Sequence, residues 1–150
     1  MAQTLSSLYI HIIFSTKQRI PIIDQSFRYR LWQYIGGICN GLNSPPVQIG
    51  GTADHIHILC NLSRSISLQE LVTRIKTESS KWVKRISSES PDFYWQSGYG
   101  VFSVNPLEYN KVAEYIRDQE RHHQKRDFCD ELRLFLKKYE IKYDEKYLWD

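Results

Sequence analysis

Alternating hydrophobic and polar residues in the first part of the chain predict extended strands. The segment SLYIHIIFST (residues 7–16) is rich in β-branched and aromatic residues, which favour a strand. The segments VQIGG (47–51) and HIHILCNL (55–62) have the same character, and only the tripeptide TAD separates them. The pattern therefore predicts three strands, of which the second and third are joined by a tight connection.

Apolar residues at helical spacing separate these strands. Asp24 is suited to cap a helix that runs to about Leu42, because a short acidic side chain satisfies free backbone amides at a helix start. Ser67 opens the capping-box pattern SLQE of a second helix, which runs to about Ile86. Both segments carry a single apolar stripe, as expected of helices that cover a sheet.

Further strand segments complete the order of elements. FYW (93–95) and GYGVFSV (98–104) predict one or two more strands. The order β-α-β-β-α-β is that of a ferredoxin-like sandwich. We therefore expect an α+β fold of the ferredoxin-like (RRM-like) type with an antiparallel sheet.

Two more helices follow this unit. Asn105 is suited to cap a helix that reaches about Lys125, because proline and then glutamate occupy its first positions. A short extra helix is expected from about Asp127 to Tyr139. Since no linker or repeat interrupts the chain, residues 1–150 are expected to form a single domain.

Composition narrows the class of protein. Hydrophobic residues make up 41% and charged residues 25% of 150 residues, the balance of a folded domain. No apolar run is long enough to cross a membrane, and the first residues lack the pattern of a secretory signal, so a cytoplasmic location is expected. Cys39, Cys60 and Cys129 are expected to be reduced thiols. The net charge of +3 permits a nucleic-acid partner without requiring one.

Two histidines in the third predicted strand are the first candidate for chemistry. His55 and His57 are two residues apart, so their side chains point to one face while Ile56 points to the other. Two imidazoles placed in this way can bind one cation. Solvated or core histidines would give the same pattern. His11 stands alone in the first strand, and we expect no metal role for it.

The helix that Asn105 caps carries the second candidate. Tyr115 lies at the edge of its apolar stripe, and Gln119 projects from the same face one turn later. A tyrosine at the core boundary with its hydroxyl in water would look the same. His122 and His123 are close by, but adjacent helical positions point apart, so at most one of them could join a site on this face.

The open face of a ferredoxin-like sheet can bring the two candidates together. If the helix with Tyr115 packs across that face, Tyr115 and Gln119 lie over the histidine pair. Two imidazoles and an amide oxygen would bind a divalent metal and leave positions for a phosphate oxygen and water. Such a metal stabilises the charge of a phosphoryl-transfer transition state, which helps a protonated tyrosine to act as nucleophile.

The chain resembles the HUH single-tyrosine transposases of the insertion-sequence-200-like type, which include the REP-associated tyrosine transposases. The similarity lies in the segments IHIIFSTKQR, GGTADHIHIL, WQSGYGVFSV, YIRDQERHHQKR and EIKYDEKYLWD, which span nearly the whole chain. The resemblance implies that His55 and His57 bind the metal, that Gln119 is the third ligand, and that Tyr115 is the nucleophile.

The resemblance also implies the reaction and the partners. Enzymes of this type bind imperfect hairpins in single-stranded DNA and cleave the strand with a tyrosine assisted by Mg²⁺ or Mn²⁺. Cleavage leaves a 5′-phosphotyrosine and a free 3′-hydroxyl, and strand transfer follows. These enzymes are typically homodimers, often with the tyrosine helix completing the partner's site, so a homodimer is expected here.

Basic residues on two helices are candidates for contacts with the DNA backbone, because lysine and arginine neutralise phosphates. A solvated amphipathic face would carry the same residues. The candidates are Arg74, Lys76, Lys81, Lys84 and Arg85 on the helix after Ser67, and Arg117 and Arg121 near Tyr115.

Other functions fit part of the pattern. A catalytically idle or domesticated single-stranded nucleic-acid-binding module would explain the basic helix and the aromatic residues, but it would leave the HIH and YxxxQ patterns as coincidence. A replication or mobilisation relaxase uses the same chemistry, commonly with a third histidine and further domains. A metal-dependent hydrolase would need only the histidines.

Overall fold

Four strands form one antiparallel sheet in the spatial order β2-β3-β1-β4. The computed structural model describes residues 2–150. The strands are β1 (Tyr9–Ser15), β2 (Pro46–Gly51), β3 (His55–Asn61) and β4 (Gly100–Ser103). This order confirms the predicted ferredoxin-like α+β fold. Within residues 2–150, no helix is both long enough and apolar enough to cross a membrane.

Helices α1 (Gln25–Gly41) and α2 (Leu68–Ile86) pack together over one face of this sheet. Their starts follow the predicted capping, since the side chain of Asp24 accepts a hydrogen bond from the Ser26 amide and that of Ser67 accepts one from the Glu70 amide. The buried side chains between sheet and helices include Ile12, Phe14, Leu31, Ile35, Ile56, Ile58, Leu71 and Ile75.

Three shorter helices lie on the opposite face. They are α3 (Tyr109–Arg117), α4 (Gln119–His122) and α5 (Phe128–Lys138). Ala113 of α3 shares a buried cluster with Leu59 of β3, and Leu132 of α5 shares another with Ile13 of β1. The face that a ferredoxin-like sheet leaves open is therefore covered here by the helices that carry the candidate tyrosine.

The predicted helix from Asn105 to Lys125 is divided in the structure. It begins only at Tyr109, because the Asn105 side chain accepts a hydrogen bond from the Leu107 amide and shapes a turn before it. The helix is interrupted at Asp118, whose backbone has φ −96° and ψ 21°. Tyr115 and Gln119 consequently stand on either side of a bend, and regular helical spacing describes their relation only approximately.

The segment FYW (93–95) does not form a regular strand. Trp95 makes a single bridge to Thr16, and its indole nitrogen donates a hydrogen bond of 2.9 Å to the Ser79 hydroxyl. The rings of Phe93 and Trp95 are buried in the core under α1 and α2. The aromatic character that suggested a strand therefore reflects core packing.

Gly50 marks the point where α3 approaches β2 most closely. A Cβ atom here would lie 2.3 Å from the carbonyl oxygen of Ile116 and 3.1 Å from its Cγ2 atom. Backbone atoms cannot yield to such a contact, so a residue without a side chain is required for this packing. Since Ile116 adjoins Tyr115, Gly50 also fixes the height of the tyrosine above the sheet.

Replacement of Gly50 tests this packing. Gly50→Ala should destabilise the protein by about 1–3 kcal/mol, because α3 must move away from β2 to admit the methyl group. The matched control is Gly37→Ala in α1, where a Cβ meets nothing within 4 Å. This control should be stabilised by about 0.4–1 kcal/mol through lower entropy of the unfolded chain. Urea unfolding measures both, and an undiminished stability of Gly50→Ala would contradict the close packing.

Candidate active site

His55 and His57 project from β3 beneath the helices α3, α4 and α5. Both side chains are fully buried, and their ring centroids are 5.2 Å apart. Strand β1 pairs with β3 so that Ile13 lies opposite His57, which places His11 diagonally across from His57. The alternation of side chains along two neighbouring strands thus brings three histidines onto one face of the sheet.

His57 has a partner at each ring nitrogen. Its Nδ1 atom lies 2.7 Å from Nε2 of His11, and its Nε2 atom lies 2.8 Å from Oε1 of Glu131. Burial lowers the pKa of His57 to about 4 and holds the pKa of His11 well below its ordinary value, so both rings are neutral near pH 7. A neutral His57 that donates its Nδ1 hydrogen to His11 presents the Nε2 lone pair to a cation.

His55 is oriented by the connection between β2 and β3. Its Nδ1 atom lies 2.7 Å from Oδ1 of Asp54 and 3.0 Å from the hydroxyl of Thr52. Its Nε2 atom lies 2.9 Å from Oε1 of Gln119 and 3.6 Å from Oε1 of Glu131. When Nδ1 donates to the aspartate, Nε2 faces two oxygen acceptors with a lone pair of its own. Such a convergence of lone pairs suits a cation.

Glu131 of α5 is a buried carboxylate in contact with every other part of this site. Its Oε1 atom faces both imidazoles, whereas Oε2 accepts hydrogen bonds from the hydroxyl of Tyr115 and from Nε2 of Gln119, the latter at 3.2 Å. Burial alone would raise the pKa of Glu131, but the attraction of His57 and the hydrogen bonds to its oxygens hold that pKa far below its ordinary value. Glu131 is therefore ionised.

His123 completes the cluster from the segment after α4. Its Nε2 atom lies 3.1 Å from Oε2 of Glu131, but without hydrogen-bond geometry, so this buried atom has no hydrogen-bond partner among residues 2–150. The ligand atoms of His55, His57, His123 and Glu131 all lie within 4.8 Å of one another. An unpartnered imidazole nitrogen beside a carboxylate and two imidazoles fits a divalent cation, to which the Gln119 oxygen adds a further donor.

Tyr115 of α3 is half-buried above this cluster. Its ring stacks on His122 with centroids 4.8 Å apart and meets the edge of His57 at 5.9 Å. Burial, the negative charge of Glu131 and the hydrogen bond to it raise the pKa of Tyr115 well above its ordinary value. The phenol is therefore protonated at neutral pH, with a carboxylate oxygen already accepting its hydrogen bond.

The four side chains that the sequence singled out meet within one chain. His55, His57, Tyr115 and Gln119 all contact Glu131, which the sequence reading did not single out. A signal for it existed. Glu131 stands among Phe128, Leu132 and Phe135 on the apolar stripe of α5, where an ionisable residue is unusual.

Of the adjacent residues His122 and His123, only one joins the cluster, as their sequence positions predicted. His123 joins the cluster, and His122 turns to the outer side of the tyrosine ring. His11 contacts Nδ1 of His57 and is not one of the four residues whose ligand atoms cluster.

The basic residues of α2 lie on the helix layer opposite to this site. Arg74 is paired with Glu78 at 2.8 Å, and Lys84 has its ammonium 4.0 Å from the ring centre of Tyr94. Lys81 and Arg85 are exposed.

Lys76 is occupied within the fold. Its ammonium donates hydrogen bonds of 2.7 to 3.2 Å to the carbonyl oxygens of residues 96–98, and burial lowers its pKa to about 8. This lysine holds the segment that leads into β4.

Arg117 and Arg121 lie on the side of the sheet that carries the site. Both side chains are exposed, and Arg121 forms an ion pair of 3.3 Å with Asp118. Arg121 lines a cavity beside Tyr115, whereas Arg117 does not. Of the basic residues that the sequence suggested, Arg121 is therefore the one placed at the tyrosine.

Two solved structures resemble this fold. A candidate transposase from Deinococcus radiodurans R1 is 18% identical, with a TM-score of 0.64 over 79% of this chain and 95% of that one. A REP-associated tyrosine transposase bound to a REP hairpin is 12% identical, with a TM-score of 0.57 over 82% of this chain and 74% of that one. At these identities the likeness shows a shared fold.

The sequence itself is similar to a known family. No curated protein matches the chain. The family described as "Transposase IS200 like" matches residues 4–119, a span that includes both histidines of β3 and reaches Gln119. This match covers well over half of the 150 residues. The chain therefore belongs to the IS200-like transposase family.

Proposed function

We propose that this member of a transposase family cleaves and rejoins single-stranded DNA through a covalent link to Tyr115. The observation that carries the proposal is the contact of the Tyr115 hydroxyl with Glu131, whose other oxygen faces the histidine pair. A nucleophile and a cluster of metal-binding side chains thus share one carboxylate. An idle nucleic-acid-binding module would have no need of a buried charge in this position.

The arrangement suits transesterification. The Tyr115 oxygen attacks the phosphorus atom and loses its proton to water, while Oε2 of Glu131 orients the hydroxyl by accepting its hydrogen bond. The bond from phosphorus to the 3′ oxygen breaks. The leaving 3′ oxygen takes up a proton from water and becomes a free hydroxyl, while the 5′ phosphate stays on the tyrosine. One phosphodiester replaces another, so attack by the 3′-hydroxyl of an acceptor strand reverses the step without ATP.

His55, His57, His123, Glu131 and Gln119 are the residues that would hold Mg²⁺ or Mn²⁺. Such an ion supplies charge stabilisation for the phosphoryl group in the transition state. The chain prepares the donors for it, because Asp54 and His11 contact the Nδ1 atoms of His55 and His57 and keep both Nε2 atoms directed to the cluster.

We further propose that hairpins in single-stranded DNA mark the substrate, as the resemblance to tyrosine transposases implied. The similar structure of a REP-associated tyrosine transposase bound to a REP hairpin supports this choice. The tyrosine and the histidines come from one chain in the present structure, so each protomer of a homodimer would hold a complete site. We also propose that the protein forms a homodimer and that residues 1–150 form one domain.

Replacement of the tyrosine tests the nucleophile. The wild-type protein, incubated with hairpin-bearing single-stranded DNA and Mn²⁺, should form an adduct that survives denaturing electrophoresis, and Tyr115→Phe should form none. Tyr109→Phe is the matched control, since Tyr109 lies on the same helix but stacks on Tyr9. Binding of DNA by the wild type without any adduct would favour the idle binding module.

The adjacent histidines offer a test of the metal site. His123→Ala should weaken Mn²⁺ binding about tenfold or more, because it removes one donor of the cluster. His122→Ala should leave the affinity for Mn²⁺ within about twofold, because His122 contributes no atom to the cluster. Isothermal titration calorimetry measures both. Equal effects of the two changes would remove His123 from the ligand set.

A further inference from the structure

Two cavities meet at Tyr115. One has a volume of about 770 Å³ and extends along α3 and α5, and the other has a volume of about 490 Å³ and extends towards the segment after α4. Both lie in the range of roughly 300–1,000 Å³ that is typical of sites for nucleotide-sized ligands. Tyr115, Glu131 and Arg126 line both cavities, so these three residues mark the junction.

Arg126 is the cation at this junction. It lies between α4 and α5 and is exposed. Within residues 2–150 its guanidinium has no hydrogen bond or ion pair to a side chain, whereas Arg28, Arg74, Arg121 and Arg133 each have an acidic partner. Arg126 is therefore free to bind an anion in the cavities that Tyr115 also lines.

The charge around the two cavities favours a polyanion. Lys138 lines the first cavity and Lys125 the second. Lys111 and Arg121 also line them, but they pair with Glu108 and Asp118. The lining residues include two acidic side chains, Glu131 and Glu108. Glu131 faces the histidine cluster, which offsets its charge. Cations on both sides of the tyrosine are the arrangement that a strand with one charge per phosphate requires.

The two cavities differ in chemical character. Phe135, Tyr139 and Val112 give the first an apolar and aromatic wall, on which an unpaired base can stack. The second is lined by His122 and by the basic side chains of Arg121, Lys125 and Arg126, which suit the sugar-phosphate backbone. A single strand that enters one cavity and leaves by the other passes Tyr115, because this residue lines both.

We propose that Arg126 binds the phosphate that Tyr115 attacks, and that the cleaved strand runs through both cavities with one neighbouring base in the cavity beside Phe135. This inference rests on the proposed function and adds to it the path of the DNA and a phosphate-binding residue. The planar guanidinium can donate two hydrogen bonds to one phosphate, which holds the phosphorus atom in line with the tyrosine oxygen.

The first measurement is adduct formation. Arg126→Ala should reduce the rate of adduct formation about tenfold to a hundredfold, because a charge-assisted hydrogen bond to the reacting phosphate is lost. Arg126→Lys should retain part of that rate, since it keeps the charge but not the paired donors. Arg30→Ala is the matched control. It removes the same charge from an exposed site on α1, on the other face of the sheet, and should leave the rate unchanged.

The second measurement identifies the phosphate. In the Tyr115→Phe background, which cannot cleave, the affinity for a single-stranded oligonucleotide is measured by fluorescence anisotropy. A second oligonucleotide carries a neutral methylphosphonate at the bond that the wild type cleaves. The neutral group should weaken binding more when Arg126 is present than when Arg126→Ala is added, because the contact from Arg126 is already lost in that variant.

The outcomes separate the two proposals. If the wild type forms adducts but Arg126→Ala forms them as fast as Arg30→Ala does, the assignment of Arg126 is wrong while the nuclease function stands. Equal sensitivity to methylphosphonate with and without Arg126 overturns the assignment in the same way. If the wild type forms no adduct at all, the proposed function fails and the role of Arg126 fails with it.

Discussion

The buried carboxylate of Glu131 is the interaction on which the rest of the site depends. A charge in the interior is tolerated only when hydrogen bonds and opposite charges replace water. Here Oε1 faces His55 and His57, while Oε2 accepts hydrogen bonds from Tyr115 and Gln119. Each of these side chains comes from a different segment than Glu131, so the carboxylate ties β3, α3, α4 and α5 into one arrangement.

The two faces of the sheet have different roles: one carries the large apolar core and the other the polar site. Its first face and the helices α1 and α2 enclose a large apolar core. Its second face has two smaller apolar clusters with the histidine pair between them and the close approach of α3 at Gly50. Because the first face supplies most of the buried apolar surface, the second can carry several polar and ionisable groups whose burial is unfavourable without partners. Buried polar clusters that lower the local stability of a fold are expected at functional sites.

The sequence predicts most of the framework, because framework signals are local. Alternation and capping identify β1, β3, α1 and α2, and the two-residue spacing places His55 and His57 on one face. The bend at Asp118 escapes prediction because the local pattern continues a helix through it. The loss of a strand at 93–95 escapes it because core packing of Phe93 and Trp95 decides that segment. The sequence marks Glu131 only as an ionisable residue on an apolar stripe, and it does not mark Arg126 at all. Their roles arise only when α5 and the segment before it fold back over the sheet.

The basic residues of α2 remain a prediction for contacts with the DNA backbone, and they lie on the helix layer opposite to Tyr115. A run of lysine and arginine on an amphipathic helix is typical both of a solvated face and of a surface that contacts phosphates. Lys76 bonds to carbonyl groups, and Arg74 pairs with Glu78. Arg126 is inconspicuous in the sequence, yet the fold leaves it unpaired at the junction of two cavities beside Tyr115. A basic side chain is a better candidate for a phosphate contact when it has no acidic partner and lies near the proposed nucleophile. The number of basic residues nearby in the sequence does not reveal either property.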